Sequence, residues 1–167
     1  MTNISISYSS PGVKGREIFG DLVPYNQLWR AGANSPTLIK LSTPVIIGEK
    51  TIRGGEYAIA VIPRKEDNWT IDLNSAGKYP FAYMKDGKFD QDAYDKDLAV
   101  SVEVLPQYWE NDTIIERLKY IIDANDNKTA IITLHSVTLI SFERDLSLGS
   151  MKSVSYTHLT LPTNREV

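Results

Sequence analysis

From Thr37 to Asn74 the chain breaks into short runs of β-branched and aromatic residues separated by turn formers, and this punctuation constrains the fold more than any other feature. Leu38 to Leu41, Val45-Ile46-Ile47, Thr51-Ile52, Tyr57 to Ile62 and Trp69 to Leu73 are each short and rich in the residues that strands favour. Gly48 and the Gly54-Gly55 pair supply backbone freedom for turns, and Asp67-Asn68 ends the link before Trp69. Pro63 has no N–H for a ladder, so it closes a strand or marks an edge. The pattern is a succession of hairpins.

Further strands follow. Leu98 to Val104 alternates with period two, and Thr129 to Leu134 and Val137 to Phe142 read the same way. The segment Asp112 to Asp123 supports two readings. Ile114, Ile115, Leu118, Ile121 and Ile122 fall on one helical face behind Asn111 or Asp112 as a cap. The surrounding strands favour instead a strand that turns at Asn125-Asp126-Asn127 to pair with Thr129 to Leu134, and the strand is adopted. Lys78 to Asp97, rich in tyrosine and aspartate, reads as an irregular excursion with a turn at Asp86-Gly87. About nine or ten short strands, little helix and no alternation of the two imply an all-β protein, an antiparallel β-sandwich. A closed or partly open β-barrel is the alternative.

The chain has 167 residues, the length of one domain, and such a chain buries roughly two thirds of its unfolded surface. Residues 1–150 are expected to form a single β-sandwich domain. No apolar run approaches the roughly 18 to 20 residues that a membrane span needs. A net charge of -3, with scattered Lys and Arg, speaks against a nucleic-acid partner. With no cysteine, disulfides, thiolate zinc sites and cysteine nucleophiles are excluded. The first residues carry no basic and apolar leader pattern, so no signal peptide is read, and localisation is not encoded in them.

Chemistry concentrates in Lys14 to Asn34, KGREIFGDLVPYNQLWRAGAN, which has no regular hydrophobic period and reads as a shaped loop. Lys14, Arg16, Trp29, Arg30 and Asn34 are the candidate ligand-binding residues, because guanidinium offers a planar donor fork and indole a flat apolar platform. The competing reading is structural: Trp29 fills the core and Arg30 holds the loop through a carboxylate or carbonyls. Gly15, Gly20 and Gly32 are read as positive-φ devices. Neither Walker nor dinucleotide spacing is present, and no cofactor is expected. His135 lies inside a strand, where a packed or surface role is the usual one. Asp86, Asp90, Asp92, Asp95 and Asp97 lack the spacing of a calcium loop and read as a solvated acidic stretch. Tyr79, Phe81, Tyr83, Phe89 and Tyr94 either stack carbohydrate or tie the excursion to the core.

YSSPGVKGREIFG, LVPYNQLWRAGAN, the GGEYAIAVIP strand and the WTIDLN strand, in that order, resemble the bacterial family known as domain of unknown function 2911. The resemblance runs from Asn3 to about Leu148 and implies a β-sandwich-like domain, usually exported to the periplasm or beyond, with no established activity. Two positions depart from that pattern: Ser10 stands where an arginine is usual, and Ser35 where an acidic residue follows the asparagine. The excursion after WTIDLN is also longer than the compact aromatic-glycine link of the family. The last seventeen residues, MKSVSYTHLTLPTNREV, resemble the translated read-through of a sequencing adapter that recurs in metagenomic proteins. Residues 151–167 are therefore expected to be a non-native, poorly ordered tail, a genuine terminal strand being the alternative.

The function expected from these readings is a non-enzymatic module that binds a carbohydrate or another small polar ligand at the Lys14 to Asn34 loop. A hydrolase with Arg30 as electrophilic clamp beside unidentified carboxylates, and a purely structural or protein-interaction domain, are the alternatives.

Overall fold

The short runs of β-branched and aromatic residues become strands, in a computed structural model that describes residues 2–107, 115–124, 129–136 and, as backbone, 139–145. The strands are β1 (Ile4–Ser7), β2 (Thr37–Leu41), β3 (Val45–Ile47), β4 (Lys50–Ile52), β5 (Gly55–Ile62), β6 (Trp69–Asn74), β7 (Met84–Lys85), β8 (Lys88–Phe89), β9 (Leu98–Val104), β10 (Lys119–Asp123), β11 (Thr129–His135) and β12 (Leu139–Asp145). The twelve described strands exceed the nine or ten expected, because two-residue strands such as β7 and β8 carry no readable period.

Every described strand pair is antiparallel. A five-stranded sheet runs in the order β1-β2-β5-β6-β9, β10-β11-β12 form a second sheet, and β3-β4 and β7-β8 are separate hairpins. Ile39, Leu41, Ile59, Val61, Ile71 and Leu73 of the large sheet share one core with Val45, Ile47, Ile52, Tyr120, Ile132 and Leu134. The protein is thus all-β and sandwich-like. The barrel alternative is corrected: β1 and β9 are the outer strands of an open sheet and do not pair with each other.

Residues 112–123 follow context over pattern. Lys119 to Asp123 form a strand whose Tyr120 stands opposite Leu134 and whose Ile122 stands opposite Ile132. The strand begins later than expected: residues 115–118 approach it outside any strand, with Arg117 bridging Gly12, and residues 108–114 lie outside the described set. Burial of Leu118 and Tyr120 in the shared core outweighs the helical spacing. The turn at Asn125-Asp126-Asn127 and the tail 151–167 also lie outside the described residues.

The excursion is ordered, which corrects the irregular reading. It contains a 3-10 turn, Pro80–Tyr83, the β7-β8 hairpin and α1, Gln91–Asp97. Asp86 and Gly87 both take positive φ, 50° and 76°, as a tight two-residue hairpin turn requires. Asp90 caps α1, its side chain accepting from the Ala93 amide at 3.0 Å. The excursion covers the second face of the large sheet, so every residue of β6 is buried. Tyr94 donates to Asp72 at 2.9 Å, and the Asn74 amide donates to the Tyr83 hydroxyl at 2.7 Å. No described helix is long and apolar enough to cross a membrane.

Candidate functional site

Trp29 exchanges both backbone hydrogen bonds with Val61 of β5, at 2.7 and 2.8 Å, and so adds a single rung to the sheet. Adjacent residues of extended chain project to opposite sides. The Trp29 ring packs edge-on to Phe19 with centroids 5.6 Å apart, and Phe19 meets Trp69 at 4.7 Å. Arg30 instead meets the excursion: its guanidinium carbon lies 5.5 Å from the ring centroids of both Tyr79 and Phe81.

The next residues hold Arg30 in place. Ala31 is fully buried with φ 53°, a left-handed conformation that costs a non-glycine residue roughly 1–2 kcal/mol. Two hydroxyls fix it there: the Ala31 carbonyl accepts from Thr37 Oγ1 at 3.1 Å and from Tyr120 at 2.8 Å. Gly32 is not the positive-φ device expected. A Cβ there would stand 2.5 Å from Thr37 Oγ1, so glycine is required for close approach. Asn34 also takes a left-handed φ, 57°, and its carbonyl accepts from Arg30 Nη1 at 2.6 Å.

These residues border a cleft of about 460 Å³, within the range of small-molecule sites. Its apolar wall includes Ile18, Leu22, Val23, Leu28, Trp29 and Phe81. Its polar side chains are Arg16, Gln27, Arg30, Asn34 and Ser136, and no carboxylate stands among the described lining residues. Four of the five residues expected to act together, Arg16, Trp29, Arg30 and Asn34, line this cleft. Lys14 does not: it is exposed, and its amide is tied to Glu116 Oε1 at 3.0 Å. Gln27, Phe81 and Ser136 also line the cleft: Gln27 lies within the loop but carries no distinguishing pattern, and Phe81 and Ser136 come to it from distant segments that nothing local in the sequence marks.

The two arginines differ in what they have left to offer. Arg16 donates Nε to the Val13 carbonyl at 3.0 Å and Nη2 to that of Gly12 at 2.7 Å, so its side-on fork holds the loop. Arg30 donates only Nη1, to Asn34. Its Nε and Nη2, the edge that grips a carboxylate with two parallel bonds, have no partner among the described residues.

The remaining candidates stand elsewhere. His135 is buried in β11, opposite Lys119 and Leu139. The aspartates of the excursion serve local structure: Asp86 turns the hairpin, Asp90 caps α1, and Asp97 accepts from Tyr83 at 2.7 Å and pairs with Lys78 at 3.4 Å. The Tyr83 bond holds the Asp97 carboxyl below its ordinary range, while burial and Asp97 push the Tyr83 hydroxyl up to about 12. No group of three His, Asp or Glu among the described residues is placed to hold a metal ion. Of the five excursion aromatics, Tyr83 and Tyr94 are buried, Tyr79 and Phe89 half-buried, and Phe81 exposed.

Asp72 is the unusual acid. It is 4% exposed, and burial lifts its carboxyl above the ordinary range against the pull of Ser101 and Tyr94. Oδ2 accepts from Tyr94, whereas Oδ1 completes no hydrogen bond. Asp72 alternates with the core residues Ile71 and Leu73, so it lies on the second face of the sheet and does not line the cleft.

Fold and site together define an all-β antiparallel protein with a basic and aromatic cleft beside its first long loop. Residues 1–143 match the family described as "Protein of unknown function (DUF2911)", and the chain belongs to that family. No curated protein and no solved structure matches it.

Proposed function

We propose that the cleft binds a small polar ligand carrying a negative charge, with Arg30 as its anchor, and that binding rather than catalysis is its role. The observation that carries this reading is the free Nε and Nη2 edge of Arg30, fixed by Asn34 and flanked by two aromatic rings in a cleft with no lining carboxylate among the described residues. The strained Ala31 supports it, because a left-handed buried alanine held by two hydroxyls sets the arginine before ligand arrives. The hydrolase alternative needs a carboxylate beside Arg30, and Asp72, the buried acid with the raised pKa, stands outside the cleft. Ser35, exposed next to Asn34, brings no charge to the rim.

A thermal-shift series on the full chain with small carboxylates, acidic and neutral sugars, nucleotides and phosphate tests the reading. At a hundredfold excess over Kd a ligand adds about 2.7 kcal/mol, which raises the Tm by several degrees. The expected result is stabilisation by anions and its loss in Arg30→Lys, which keeps the charge but not the fork. Stabilisation by neutral sugars alone, or anion binding untouched by Arg30→Lys, would contradict it.

A further inference from the structure

The described chain exposes four large apolar side chains, Leu22, Phe81, Met84 and Leu105, and two of them, Leu22 and Phe81, line the same cleft as Arg30. Their exposures, 53% and 63%, leave large apolar surfaces in water at the rim of a charged site. Single exposed apolar residues are ordinary; two that share a cavity with an unpaired guanidinium edge are a recognition surface. Phe81 has two contacts to explain, since it lines the cleft and also stands 5.5 Å from the Arg30 guanidinium. A carboxylate held in plane on Nε and Nη2 therefore has this ring as a neighbour, and whatever the carboxylate carries extends along an apolar wall.

We infer that the ligand is a monocarboxylate with an apolar body, an aryl or branched alkyl acid, and that Phe81 is the residue that selects it. The inference rests on the anion-binding reading above and names the ligand class of that site. Charge complementarity fixes the head group, because two guanidinium groups and no carboxylate line the described cleft. The wall fixes the body. The side chains of Leu22, Leu28 and Phe81 offer no hydrogen-bond partner to the hydroxyls of a sugar acid, whereas an aryl or alkyl group that covers them removes apolar surface from water. The rings of Tyr79 and Phe81 stand 5.5 Å from the guanidinium carbon, so the head-group site and the apolar wall adjoin.

The test is calorimetric titration of the full chain with phenylacetate, 4-methylpentanoate, acetate and glucuronate, repeated on Phe81→Ser and Arg30→Gln. Phe81 is mostly exposed, so its replacement leaves the core intact, and the melting curve checks this for both variants. We expect phenylacetate and 4-methylpentanoate to bind at least about tenfold tighter than acetate and glucuronate. In Phe81→Ser that ratio falls toward unity, and in Arg30→Gln all four acids lose binding. Glucuronate binding as tightly as phenylacetate, or a preference that survives Phe81→Ser, overturns the ligand class and leaves the anion site standing. Failure of every acid to bind the wild-type chain overturns both.

Discussion

The Tyr120 hydroxyl donates to the carbonyl of Ala31 across 2.8 Å, and this bond ties the second sheet to the residue that follows Arg30. The two positions are 89 residues apart in the chain. Burial, with Tyr8 packed edge-on at 4.8 Å, pushes the Tyr120 hydroxyl up in pKa, so it remains a donor at any physiological pH.

Tyr120→Phe removes that donor and keeps the ring. The Ala31 carbonyl is left with Thr37 alone, and the expected cost is about 1 kcal/mol in urea unfolding, with weaker anion binding as Arg30 loses its fixed position. Equal stability and equal affinity would show that the bond neither holds the loop nor orders the site.

Gly32 and Thr37 form a second coupled pair. Gly32→Ala drives a Cβ into Thr37 Oγ1 and is expected to cost about 1–3 kcal/mol, while Thr37→Ala alone loses one hydrogen bond to Ala31 and costs about 1 kcal/mol. Because Thr37→Ala also removes the clashing atom, the double variant is expected to be more stable than the sum of the two by about 0.5–3 kcal/mol. Simple additivity in denaturant melts would rule out the clash.

Asp72 gives a pH dependence with a definite sign. Its folded pKa lies above the ordinary 3.8, so the native state holds the proton more tightly than the unfolded chain. The stability from that proton is fully present below 3.8 and is lost as pH rises through the higher folded value. Asp72→Asn is neutral throughout and still accepts from Tyr94. Its Tm relative to wild type should therefore climb between about pH 3.5 and pH 7, in differential scanning calorimetry. A difference that is flat or falls with pH would mean that the buried carboxylate is well satisfied.

The fold was legible where runs of β-branched and aromatic residues lay between turn formers, as in β5 and β6, and where period two ran on, as in β9, because both patterns mark segments that meet a core. It was less legible in the excursion. α1 carries a cap at Asp90, an acid in its first turn and Lys96 in its last, yet its one buried residue, Tyr94, gives no apolar period to read. The site was half legible. Trp29, Arg30 and Asn34 announced themselves by type and proximity, but nothing local separates Arg30, whose Nε and Nη2 edge has no partner among the described residues, from Arg16, whose fork is bound to the carbonyls of Gly12 and Val13. The cleft wall at Phe81 and the clamp at Tyr120 depend on contacts between distant segments, which no local pattern encodes.

The most direct measurement is an arginine Nε–H correlation spectrum of the ¹⁵N-labelled chain, titrated with phenylacetate. The Arg30 signal should move downfield and saturate, while that of Arg16, already bonded to Val13, stays in place. An Arg30 signal that does not move, or movement confined to Arg16, would contradict the claim that the free edge of Arg30 is the anchor of an anion site.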